Sequence, residues 1–197
     1  MILPIYLYGE PVLRKKAEPV EELTQDFRSL IQNMFETMYH ASGVGLAAPQ
    51  VGVSQRIFII DTSPFVKDSE DDDEFTEEEK RELLSFKRIF INPVMLQEKG
   101  KTWKFNEGCL SIPKIREDVL RPEEITIQYL DENMQTHTDT FRGLIARVIQ
   151  HEYDHLEGIL FTDKIGSFRR KRIEGKLNDI ARGLLTPDYK HKIYRKV

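Results

Sequence analysis

At 197 residues, with 40% hydrophobic and 31% charged side chains, the chain has the balance of a soluble globular protein with a real core. Its single cysteine excludes an internal disulfide and fits a reducing compartment. The net charge of −4 hides an asymmetry: residues 164–197 carry eleven Lys/Arg against three Asp/Glu, while the body before them is acidic.

Residues 1–20 read as an extended opening with a turn at Tyr8-Gly9-Glu10-Pro11. No basic segment precedes an apolar core at Met1–Tyr6, and no apolar run approaches a membrane span. A cytoplasmic protein is expected, with neither membrane nor DNA as partner. Leu23, Phe27, Leu30, Ile31, Met34, Phe35 and Met38 recur at helical spacing and predict a core-packing helix, with Gly43 just beyond its end. The stretch from Gly43 to Gln50 follows neither helix nor strand pattern and reads as a turn whose glycines admit close backbone approach. Arg56–Asp61 is a predicted strand. Residues 66–85 are an acidic surface insertion, expected as a solvated loop or a short exposed helix.

Ile89–Met95 resumes as strand, with Pro93 marking an edge or a bulge, and Lys101–Phe105 is a short strand leading into Glu107–Ser111. Glu124–Leu130 and Gln135–Thr140 predict a hairpin about Asp131-Glu132-Asn133. A helix follows, with Phe141, Leu144, Ile145, Val148, Ile149 and Leu156 as its apolar stripe and Gly158 as a left-handed stop. Ser167 is placed to cap a last helix, with Ile173, Leu177, Ile180 and Leu184 on one side and basic residues on the other. The order predicts one domain over residues 1–197 with an α+β fold. Mixed, mainly antiparallel sheets would surround a central metal-binding helix, flanked by an N-terminal and a C-terminal helix.

That central helix carries Gln150-His151-Glu152-Tyr153-Asp154-His155-Leu156-Glu157-Gly158. Histidines four apart lie on one helical face, so both imidazoles reach one ion. Glu152 sits beside that ion without having to bind it, as a base acting on metal-held water must. A third protein ligand is needed. The extended motif with a third histidine fails, because Phe161 stands at that position. Glu174, the glutamate option of a zinc endopeptidase, sits among Arg169, Arg170, Lys171, Arg172 and Lys176 and reads as surface. Cys109, a soft thiolate between Gly108 and Leu110, is the better candidate.

Three ordered stretches, Gly43–Gln50, Glu107–Ser111 and His151–His155, resemble the GxGxAAxQ, EGCLS and HExDH motifs of the peptide deformylase family. The similarity extends over most of residues 1–165; the acidic stretch is longer than in compact bacterial members. The resemblance implies Cys109, His151 and His155 as ligands of one divalent metal, natively Fe2+, with Zn2+, Ni2+ or Co2+ able to substitute. It implies Glu152 as the proton carrier, with the Gln50 side-chain amide and the Leu110 backbone N–H as oxyanion donors. Gly43, Val44 and Gly45 would border the substrate, an N-formylmethionyl nascent peptide cut to formate and a free amine. Glu107 reads as a buried anchor for the Cys109 loop, paired with Arg121 or Arg116. The basic segment 164–197 is expected to dock on the ribosome near the exit tunnel.

Overall fold

The computed structural model of the chain describes residues 1–69 and 75–194, so the acidic run at 70–74 and the tail at 195–197 lie outside the described residues. The chain opens with a short strand, β1 (Ile5–Tyr6), and a 3-10 turn at Pro11–Arg14. Helix α1 (Gln25–His40) begins where Thr24 accepts a hydrogen bond from the Phe27 amide. It buries Ile31, Met34 and Met38 of the predicted stripe, with Phe27, Leu30 and Phe35 partly buried beside them and Leu23 lying before its start. Its stop differs from expectation: Ser42, at φ 55, takes the left-handed position. The Gly43 amide then reaches back to the Met38 carbonyl at 2.9 Å.

The Gly43–Gln50 stretch, expected as a turn, contains strand β2 (Gly45–Ala47) followed by a 3-10 turn at Ala48–Val51. Gly45-Leu46-Ala47 is too short to show an alternation; pairing with β3 (Ile57–Asp61) makes it a strand. Helices α2 (Ser63–Lys67) and α3 (Glu77–Ser85) follow, the latter started by a capping box between Thr76 and Glu79.

The two strands predicted at 89–95 and 101–105 form one, β4 (Lys87–Cys109). Pro93 marks a bulge inside the sheet, where the register shifts between Ile91 and Val94. At that bulge Asn92, at φ 48, exchanges two 2.8 Å hydrogen bonds with the Val20 backbone and ties down the N-terminal segment. β5 (Ile112–Leu130) returns along β4, and β6 (Thr136–Arg142) returns along β5. The result is an antiparallel five-stranded sheet in the order β2-β3-β4-β5-β6.

Gly143 turns the chain into helix α4 (Gly143–Leu156), so Phe141 of the predicted stripe belongs to β6. β3 is buried on both faces and organises the layers. Phe58 and Ile60 meet Ile145, Ala146, Val148 and Ile149 of α4, while Ile57 and Ile59 meet the Met34 and Met38 side of α1. Gly158, at φ 72, stops α4 as predicted, with the Ile159 amide bonded to the Asp154 carbonyl at 2.9 Å.

Helix α5 (Ser167–Arg182) packs Ile173, Leu177 and Ile180 on Ile112, Ile115 and Val119 of β5. Ser167 is its first helical residue rather than its cap, a place taken by Gly166, and Leu184 lies beyond the helix and exposed. The last strand among the described residues, β7 (His191–Lys192), pairs in parallel with β1 and was not anticipated. Among the described residues no helix is long and apolar enough to cross a membrane.

Candidate active site

Helix α4 is buried almost all round, and Arg147, Gln150, Glu152, Asp154 and His155 are buried along with its apolar residues. Burying so many polar groups is costly unless each is satisfied or used, so this helix marks the site. His151 and His155 project toward Cys109, which ends β4 just before the Leu110–Ser111 turn into β5. One donor atom from each of the three lies within 4.8 Å of the others. Cys109 Sγ stands 3.3 Å from His155 Nε2. A tetrahedral ion with bonds of about 2.3 Å to sulfur and about 2.0 Å to nitrogen separates such donors by about 3.5 Å, so the spacing fits.

Glu107 sets the orientation. Its carboxylate takes the His151 Nδ1 at 2.9 Å, which leaves Nε2 for the centre. It also accepts from Arg121 at 2.7 and 3.0 Å and from Arg147 at 2.9 Å. Arg121 in turn donates to Asp154 at 2.6 Å. Arg121 is thus the partner rather than Arg116, which donates to Asn106 instead. Arg147 and Asp154 belong to the same buried cluster and were missed from the sequence, since each falls on the motif helix with nothing to mark it as polar and buried. Phe161, at the place of the absent third histidine, stacks on the His151 ring at 6.1 Å.

Burial raises the Glu107 carboxyl, but hydrogen bonds from His151 and Arg121 outweigh it and hold the group well below the usual range. Glu152 has no such partners, and burial pushes it up to about 7. His151 is held well above its ordinary value because Cys109 and Glu107 outweigh its burial. Burial, then the neighbouring His151, drives His155 well below. Among the described residues no other group of three or more such side chains converges: Glu174 is exposed on α5, and His137 bonds to Asp131 at 2.8 Å.

Gln50 is buried in the 3-10 turn after β2. Its Oε1 accepts from the Ala47 amide at 2.9 Å, which directs Nε2 toward Cys109 Sγ at 3.5 Å and Ser111 Oγ at 3.2 Å. The glycines of the same segment make room for the protein's own side chains. A Cβ on Gly45 would stand 2.4 Å from Glu152 Oε1, and one on Gly43 would stand 2.8 Å from Leu110 Cδ1. These groups border a cleft of about 820 Å3, with Val44, Phe65, Phe105, Ile115 and Tyr189 on its walls.

A cysteine sulfur and two imidazoles converging on one point, with a carboxylate alongside, fit a divalent-metal site of the hydrolytic class. Residues 2–171 match the family model for polypeptide deformylase. The chain is 55% identical to the peptide deformylase of Flavobacterium psychrophilum, across 100% of this chain and 99% of that one. It is 54% identical to that of Christiangramia forsetii, across 96% and 95%. Among solved structures, the peptide deformylase of Legionella pneumophila superposes with a TM-score of 0.76 at 36% identity, covering 95% of this chain and 100% of the other. The chain belongs to the polypeptide deformylase family and is a metal-dependent hydrolase of the N-terminal formyl amide.

Proposed function

We propose that Cys109, His151 and His155 hold a ferrous ion and that Glu152, Gln50 and Leu110 act on a formylmethionyl nascent chain beside it. A divalent ion there would polarise the formyl carbonyl and acidify water. Glu152 takes the proton from the attacking water and delivers it to the leaving amine, for which a carboxyl raised by burial is suited. The Gln50 amide and the Leu110 N–H stabilise the developing oxyanion. β2 is an edge strand, so its open side, with Gly43 and Val44 leading into it, can take the peptide as an added strand. A cytoplasmic location goes with the same reading, and Leu110, packing against two of the core clusters, supports a single domain.

The observation that carries this reading is the convergence of the three donors on one another, with Glu152 beside them in the same cleft. The test is metal analysis of anaerobically purified protein together with formate release from a formyl-Met peptide. Iron should co-purify at one per chain, and Cys109→Ser should lose both metal and activity. A Cys109→Ser protein that keeps its metal would remove the thiolate from the ligand set.

For ribosome docking, the cations on α5 with no ion-pair partner among the described residues matter. Arg169 pairs with Glu117 and Asp118, Arg172 pairs with Glu117, and Arg170 donates to the Tyr8 hydroxyl, so these three serve the fold. Lys171, Lys176 and Arg182 are exposed on the same helix. Reversing their charge should weaken ribosome binding, with binding that falls steeply as salt rises, and leave hydrolysis of a short formylated peptide unchanged. Undiminished ribosome affinity in that variant would end the docking proposal.

A further inference from the structure

The turn that carries Leu110 is gripped by residues far from it in sequence. Cys109 pairs with Ile112, which leaves Leu110–Ser111 as a two-residue hairpin loop. Loops of that length favour types with positive φ at one or both central positions. Neither Leu110 nor Ser111 is among the positive-φ residues, so the turn is not of those types, and contacts from elsewhere in the chain help to set it. Two of them clamp its carbonyls. The Tyr8 amide donates to the Ser111 carbonyl at 2.8 Å, and the Tyr189 hydroxyl donates to the Leu110 carbonyl at 2.5 Å.

Tyr189 comes from the segment between α5 and β7, beyond residue 171 where the family match ends. That segment is itself anchored. Ile5 and Leu7 of the β1 region donate to the Lys190 and Lys192 carbonyls, each at 2.9 Å, and Pro187, Asp188 and Tyr189 line the cleft.

We propose that Tyr189 is a positioning residue for the deformylation site: by fixing the Leu110 carbonyl it sets the direction of the Leu110 N–H toward the reacting carbonyl. The inference rests on the reading of that N–H as an oxyanion donor. The carbonyl and the N–H belong to successive peptide planes joined at the Leu110 Cα; the Cys109–Ile112 pair holds the first plane's end and the Tyr189 hydroxyl holds the second, so little freedom is left in the φ and ψ between them. A donor preorganised in this way contributes to the transition state and little to ground-state binding. Tyr189 also packs on the core beneath β5, so the ring and the hydroxyl have separable tasks.

The test is Tyr189→Phe in the metal-loaded full chain, with Gln50→Ala measured alongside. Tyr189→Phe should lower kcat about tenfold, as loss of one aligned hydrogen bond implies, and leave KM within about twofold. Metal content and Tm should hold, while hydrogen exchange at the Leu110 and Ser111 amides should quicken. Unchanged kcat in Tyr189→Phe with an impaired Gln50→Ala would overturn the Tyr189 role alone. Full activity in Gln50→Ala and Tyr189→Phe together would overturn the oxyanion reading beneath it. A rise in KM at constant kcat, or a fall in kcat that only follows lost metal or Tm, would make Tyr189 a wall of the cleft or a packing residue and also overturn the role.

Discussion

A Glu152→Ala protein should retain one divalent ion per chain and lose about 10²–10⁴-fold in kcat, the range for removing a general acid–base group. The carboxylate is buried beside His151 yet stands outside the donor cluster, so its removal leaves the three ligands intact. Metal analysis and steady-state kinetics on one preparation decide it; loss of metal would make Glu152 a ligand. The pH profile gives a second reading. Burial raises Glu152 from 4.5 to about 7 in the metal-free protein, and a cation alongside pulls it back down. The acid limb of kcat/KM should therefore fall between those values. Stability carries the opposite sign. Between 4.5 and about 7 the folded metal-free chain holds a proton that the unfolded chain has released, so stability falls as pH rises through that window. Metal-free Glu152→Gln should accordingly be more stable than the parent at pH 8, by no more than about 3 kcal/mol. Gly45→Ala reaches the same group from the other side. Its Cβ would overlap the Glu152 carboxylate, so activity should drop with the ligands still in place.

The metal-binding helix was legible because its signal is local: two histidines at one helical spacing and an apolar stripe that packs as predicted. Cys109 was singled out by elimination and Glu107 by its position two residues before it, and the structure brings both to the histidines. What the sequence withheld depends on tertiary pairing. Residues Gly45–Ala47 have no strand pattern of their own and become β2 only against β3. The strands at 89–95 and 101–105 looked separate because the stretch between them is polar, whereas pairing with β5 carries the ladder through. Arg147 was hidden for a related reason. On a helix that reads as amphipathic, an arginine between Ala146 and Val148 looks exposed, yet β4 and β5 cover it, and its guanidinium lies 4.5 Å from the Trp103 ring centre. The pairing within the C-terminal basic face was also hidden, since Glu117 and Asp118 on β5 meet Arg169 and Arg172 only once α5 is docked.

Replacing Glu107 should have the largest structural effect of any single change near the site. The side chain is 3% exposed and is shared by Arg121 and Arg147, each 2% exposed, and by His151. Removing one member of such a cluster leaves buried charge uncompensated, which costs about 3–5 kcal/mol, although Asp154 still holds one edge of Arg121. It also frees the His151 ring to rotate, and losing the partner that orients a ligand costs about 10–100-fold in metal affinity. Glu107→Gln should therefore bind metal more weakly and unfold at lower denaturant, with both effects in the same protein. The acid response separates charge from shape. Glu107 is held below its ordinary value, so the stability it contributes is present above 4.5 and is lost as pH falls through its folded value. The variant should lack that part of the acid transition. Adding Arg147→Met to Glu107→Gln should restore part of the stability by removing a stranded cation, without restoring metal affinity, because the methionine offers nothing to His151. If the double variant recovers neither, Arg147 is not bound to Glu107 in the way the 2.9 Å contact describes. If it recovers both, orientation of His151 does not depend on Glu107.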